Sequence, residues 1–155
     1  MSKEKFEILA KKYMDMIYRV AYSWTKNSYD ANDVTQDVLI QLYNTNKEFE
    51  SDSHIKSWLM KVTVNQCRML FRTPWNKMED ISAYAETIGL EDESHMDLFL
   101  AVMKLDKKYR VPLMLFYYEG SSTKEISSFL GIPEKTISTR LFRAKSKLRE
   151  YLKEE

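Results

Sequence analysis

Glycine and proline are scarce, with three of each in 155 residues. These residues turn chains and break helices, so their rarity excludes a loop-rich or many-stranded protein. No stretch alternates apolar and polar residues as a half-buried strand does, and an all-α fold is expected. A lone cysteine, Cys67, excludes an intrachain disulfide, and with only His54 and His95 beside it there is no metal-ligand spacing. No metal and no cofactor is therefore expected. Cys67 lies among Val64, Met69, Leu70 and Phe71 and reads as a buried structural thiol. No apolar run reaches the length of a membrane span, and the opening MSKEKFE lacks the apolar centre of a signal peptide, so the reading is cytoplasmic. Signatures of catalysis are missing too. There is no phosphate-binding glycine loop, no nucleophile beside a base, and no carboxylate pair with a reason to differ in acidity, so a non-enzyme is expected.

What the chain does have is amphipathic helix, and the most informative piece runs from Gly120 to Arg149. Ser122 and Glu125 make a capping box, which starts a helix at Thr123 that buries Ile126, Phe129 and Leu130. Gly131 suits the left-handed end of that helix, and Pro133 sets the backbone for another starting near Glu134. In the second helix Ile137, Leu141, Ala144, Leu148 and Leu152 recur at spacings of three or four and form one buried stripe. The remaining surface is cationic. Lys135, Arg140, Arg143, Lys145, Lys147 and Arg149 stand against Glu134 alone, interspersed with the short hydroxyls Thr136, Ser138 and Thr139 that suit phosphate and base contacts. A solvated helix face ordinarily mixes both signs, so the pattern favours a helix-turn-helix whose second helix enters a DNA groove over a plain helical hairpin.

Ahead of this element five more helices are expected. Lys5 to Thr25 carries Phe6, Leu9, Tyr13, Ile17, Val20, Ala21 and Trp24 on one face. Asp30 reads as the N-cap of the next, with Asp33 in its first turn; it buries Val34, Val38 and Leu42 and turns Asp33, Gln36, Asp37 and Gln41 outward. A polar loop, residues 44–54, holds the aromatic Phe49. The third helix, Ile55 to Phe71, is expected to bury Ile55, Trp58, Leu59, Val62, Leu70 and either Gln66 or Cys67, leaving Lys56, Lys61, Asn65, Arg68 and Arg72 for solvent or nucleic acid. Pro74 closes this first domain. Residues 75–97 are acidic and weakly periodic, a linker by composition. A short helix from Leu98 to Leu105 and another from Asp106 to Glu119 follow, the latter kinked or started late by Pro112. Net charge follows the same division: +2 over residues 1–75, −5 over 76–105 and +4 over 106–155.

With these pieces placed, the chain resembles, over nearly its whole length, the sigma factors of bacterial RNA polymerase, in the extracytoplasmic-function group of the sigma-70 family. Asp30-Ala31-Asn32-Asp33-Val34-Thr35-Gln36-Asp37-Val38 is similar to that family's polymerase-binding helix signature, and Tyr117 through Arg149 is similar to its fourth region. The resemblance implies two small helical domains joined by an acidic linker. Residues 1–74 would bind polymerase and melt promoter DNA, 75–97 would be the linker, and 98–155 the helix-turn-helix domain. It also implies residue roles. Asp33, Gln36 and Asp37 would contact the coiled coil of the polymerase's largest subunit, while Lys47, Phe49, Ser53, Lys56, Lys61 and Asn65 would meet the melted −10 element, with Trp58 in the core. Ser138, Thr139, Phe142 and Arg143 would read the −35 element, with Lys135, Thr136, Arg140 and Lys145 beside them on the DNA. Implied partners are core polymerase, through that coiled coil and the flap region, promoter DNA, and an anti-sigma factor. Two other readings are a stand-alone helix-turn-helix regulator with an N-terminal helical dimerisation domain, and a sequestering helical protein. The first leaves the Asp33–Gln36–Asp37 strip and Phe49 without a purpose; the second leaves the basic helix without one.

Overall fold

The structure is a computed structural model that describes residues 1–71 and 93–153. The described residues form seven helices and no strand: α1 Lys3–Thr25, α2 Ser28–Asn44, α3 Asp52–Leu70, α4 Glu93–Met103, α5 Lys107–Tyr117, α6 Thr123–Leu130 and α7 Glu134–Lys153. The chain divides into two compact units, Met1–Lys77 and Met78–Glu155. The segment read as an acidic linker lies largely outside the described residues, as do Arg72 and Pro74.

In the first unit α1, α2 and α3 pack on one another in all three pairs. Ser2 accepts the Lys5 amide hydrogen to start α1, which buries Leu9, Tyr13, Ile17, Val20, Ala21 and Trp24 of the expected stripe and leaves Phe6 half-exposed. It ends where Lys26 takes a left-handed conformation, φ 51°. Asn27, not Asp30, then caps α2: its side chain accepts the Asp30 amide hydrogen at 3.0 Å. Asp30 thus stands in the first turn and Asp33 beyond it, so it is Asp30 that complements the helix dipole.

α3 begins three residues before the expected Ile55, because Ser51 accepts the His54 amide hydrogen at 3.1 Å and caps it. Its buried side is Ile55, Leu59, Met60, Thr63, Val64 and Cys67. The expected stripe is therefore rotated. Trp58, Val62, Gln66 and Leu70 are only half-buried, and Thr63 takes a core place because its hydroxyl donates to the Leu59 carbonyl at 2.7 Å. That bond satisfies a polar group water no longer reaches. Cys67 is buried as expected.

In the second unit α7 packs against α4, α5 and α6. α4 starts at Glu93 rather than Leu98, and α5 spans Lys107–Tyr117 without the late start expected from Pro112. The Asp106 carbonyl accepts the amide hydrogens of Tyr109 and Arg110 at 2.9 and 2.8 Å, fixing the start of α5 ahead of the proline. The buried Arg110 guanidinium donates to the Leu105 carbonyl at 2.9 Å in the preceding turn. α6 has the expected capping box and buries Ile126, Phe129 and Leu130; in α7 the buried stripe is Ile137, Leu141, Ala144 and Leu148, while Leu152 is 41% exposed.

Candidate nucleic-acid interface

Local bonds hold both ends of α6 and its turn into α7. Ser122 Oγ accepts the Glu125 amide hydrogen at 3.1 Å, and Glu125 Oε1 accepts that of Ser122 at 2.9 Å. At the far end Gly131 sits at φ +66°, and the Gly131 and Ile132 amides both donate to the Ser127 carbonyl, at 2.9 and 3.2 Å. Thr123 Oγ1 donates to Glu134 Oε1 at 2.9 Å, joining the first turns of the two helices. With the buried stripe of α7 fixed against α4, α5 and α6, the opposite face carries Lys135, Thr139, Phe142 and Arg143, with Ser138 at its edge, all exposed, while the exposed Arg149 borders the side facing α4 and α5. Phe142 is 71% exposed, so its ring is available to a partner on this face.

Other predicted members of this site lie to its sides. Thr136, Arg140 and Lys145 are half-exposed. The Lys145 ammonium stands 5.4 Å from the Tyr117 ring centroid and 5.7 Å from that of Phe116, so it faces the rings of α5. Lys147 and Lys108 approach the Tyr109 ring at 5.6 and 5.0 Å. Burial pushes the Tyr109 phenol up, but the neighbouring Lys108 and Arg143 cations outweigh it and hold the group below its usual range. Thr139 donates its hydroxyl to the Lys135 carbonyl at 3.0 Å. Beside this face, α4, α5 and α7 enclose a mainly apolar groove of about 510 Å³ whose walls include Leu98, Val102, Leu113, Tyr117, Leu148 and Lys145.

In the first unit the loop before α3 forms a second candidate surface. Phe49 lies edge-on to Trp58, with centroids 5.5 Å apart, and to His54 at 5.3 Å, so it is the centre of an aromatic cluster and not an isolated ring. Trp58 belongs to this half-exposed cluster, which corrects its assignment to the core. His54, Trp58, Lys61 and Asn65 follow at spacings of four, three and four and so share one face of α3. Lys56, about 200° round from His54, is half-buried and off that face, while Ser53 and Lys47 are exposed. The Lys47 amide donates to Thr45 Oγ1 at 3.2 Å. The far end of the loop is tied to α1: Lys12 pairs with Asp52 at 3.0 Å, and the Tyr13 hydroxyl donates to the Asp52 carbonyl at 3.4 Å. Its bond to the Asp52 carboxylate holds the Lys12 ammonium above the usual lysine range. His54 was not among the residues picked out from the sequence. The available signal was Ser51-x-x-His54, which puts a ring at the position where a capping box ordinarily has Glu or Gln, five residues from Phe49.

The third surface is the strip on α2. Burial of Ala31, Val34, Thr35, Val38 and Leu42 fixes the helix phase and leaves Asp33, Gln36 and Asp37 exposed together, with Gln41 one turn on. Among the described residues no three His, Cys, Asp or Glu side chains gather as a metal site, and no helix is long and apolar enough to cross a membrane.

Comparison with known proteins places two family models on the chain in order: Sigma-70 region 2 over residues 9–76 and Sigma-70, region 4 over residues 95–148. The sequence is 28% identical over 155 residues to the ECF RNA polymerase sigma factor SigE of Mycolicibacterium smegmatis, covering 93% of this chain but 60% of that protein. Against SigW of Bacillus subtilis the identity is 26% over 160 residues, covering 92% of this chain and 86% of the relative. The fold matches the sigma factor RpoE of Bartonella quintana, solved with the anti-sigma factor NepR, at a TM-score of 0.74 with 20% identity, covering 97% and 98% of the two chains. It also matches CnrH, solved with the cytosolic domain of CnrY, at 0.72 with 23% identity over 99% of this chain and 91% of that one.

Proposed function

The chain belongs to the extracytoplasmic-function group of the sigma-70 family, and on that premise we propose that it is a dissociable transcription initiation factor. It binds core RNA polymerase, directs it to promoters by recognising a −35 element, and recognises and melts a −10 element. It is an initiation factor rather than an enzyme, and it works in the cytoplasm, where its polymerase is. Asp33, Gln36 and Asp37 dock on the coiled coil of the largest subunit. Phe49, Trp58, Lys61 and Asn65, with Lys47 and Ser53 nearby, meet the opened strand, since an aromatic platform beside cations stacks unpaired bases and holds their phosphates. Lys135, Ser138, Thr139, Phe142 and Arg143 enter the major groove at the −35 element. The apolar groove beside α7 accepts the flap region, and an anti-sigma factor holds the protein inactive until needed, as the solved complexes of its structural neighbours suggest by analogy.

The observation carrying this reading is the co-occurrence, in order, of the exposed α2 strip, the aromatic loop and the basic outward face of α7. A stand-alone helix-turn-helix regulator accounts only for the last. The two are separated by measuring DNA binding with and without core polymerase. An initiation factor gives sequence-specific promoter binding only in the presence of core, whereas a regulator binds its operator duplex alone.

A further inference from the structure

The loop that carries Phe49 is short, polar and without regular structure, yet the ring it presents is held in a definite place. One side chain bears on both the ring and the residue that follows it. His54 Nδ1 accepts the Glu50 amide hydrogen at 3.2 Å, and the His54 ring meets Phe49 edge-on at 5.3 Å with an interplanar angle of 77°. An Nδ1 that accepts a backbone hydrogen leaves the ring proton on Nε2. His54 is itself fixed, because its amide hydrogen is held by Ser51 Oγ at 3.1 Å in the first turn of α3. The loop is thus clamped immediately after Phe49 at Glu50 by His54, and at Asp52 by Lys12 and Tyr13.

We infer that His54 is a positioning residue for promoter opening, presenting Phe49 against Trp58 as a preformed notch for an unstacked base. The inference rests on the initiation-factor reading and deepens it. Base capture by an aromatic ring stabilises the open strand, but a ring that must first be ordered returns part of that in lost freedom. A ring already ordered by its neighbours does not. The histidine serves two ends at once: it is the N3 residue of α3, and its ring reaches one residue further back than the Glu or Gln of an ordinary capping box, which would bond the N-cap amide itself.

That difference supplies the test. His54→Gln restores the ordinary N3 residue, so α3 still starts at Asp52, while the ring against Phe49 and the acceptor for Glu50 are lost. In the free protein the thermal midpoint stays at the wild-type value and the Glu50 amide exchanges its hydrogen faster. In the holoenzyme, on a promoter selected from a random library by the wild type, binding to closed duplex is unchanged. Permanganate reactivity of −10 thymines falls roughly 3- to 10-fold, part of the factor of about 10 that each 1.4 kcal/mol of stacking represents. Phe49→Ala falls at least as far, and the double variant falls no further than Phe49→Ala alone. Wild-type opening by His54→Gln, unchanged Glu50 exchange, or defects that multiply in the double variant would each overturn the role of His54. A wild-type protein that gives no polymerase-dependent opening would instead overturn the initiation-factor reading, and this inference with it.

Discussion

The Lys145 ammonium lies 5.4 Å from the centroid of the Tyr117 ring, turned towards α5 and away from the middle of the outward face of α7. Read from the sequence alone, Lys145 is one of six equivalent cations; in the folded unit it is engaged with aromatic rings and half-buried. Lys145→Ala is therefore expected to cost about 0.5–1 kcal/mol of stability, the range for an exposed cation over a ring. It should change the salt dependence of DNA binding little. Lys135→Ala, on the outward face, should leave stability alone and reduce the slope of log affinity against log salt by about 1. Equal loss of slope in both variants would place Lys145 on the phosphates after all.

Arg143 is exposed on the outward side of α7, next to Phe142 and close to the Tyr109 phenol. If its guanidinium reads a base edge, Arg143→Ala costs about 1–3 kcal/mol of promoter discrimination, concentrated at one position of the −35 element. A scan of single base substitutions through that element, measured with the variant holoenzyme, checks this. Uniform weakening at every position would mark Arg143 as a phosphate contact, and specificity would then lie in DNA shape or in the melted element.

The two ends of α6 give paired stability predictions. Ser122→Ala removes the acceptor for the Glu125 amide hydrogen and should cost about 1 kcal/mol. Gly131→Ala meets no atom within 4 Å of the new Cβ, so its cost is the left-handed backbone alone, about 1–2 kcal/mol. Denaturant unfolding of each variant tests both figures, and a Gly131→Ala protein as stable as wild type would contradict the assigned conformation.

Asp37→Arg reverses a charge on the exposed α2 strip while leaving Val34, Val38 and Leu42 in the core. Core-polymerase binding should fall about 10-fold or more with the helical content unchanged. Co-purification of the variant with core at wild-type yield would remove the strip from the interface.

How much of this was legible depended on whether a local rule had a competitor. The capping box of α6, the turn at Gly131 and most of the stripe of α7 follow from short-range chemistry and were readable in the sequence. So were the outward positions of Asp33, Gln36 and Asp37, because apolar residues on α2 leave only one phase. The start of α2 was misread because Asn27 and Asp30 are both good caps, and only the fold chooses between them. α3 was misread in phase because Trp58 and Val62 look like core while Thr63 does not; a hydroxyl bonded to its own helix passes for an apolar residue. The aromatic cluster around Phe49 was illegible for a related reason: it depends on where a histidine ring turns after a cap, which spacing does not encode. Leu152 fits the stripe of α7 by period yet is 41% exposed, so period alone did not bury it.

The central claim is most directly tested by transcription from a random promoter library, with purified core polymerase and this chain as the only initiation factor. The expected result is a set of start sites sharing one bipartite element, absent without the chain, reduced by Asp37→Arg and shifted in upstream preference by Arg143→Ala. Sequence-specific binding of the chain alone to duplex DNA, with no chain-dependent start site when core is added, would contradict it.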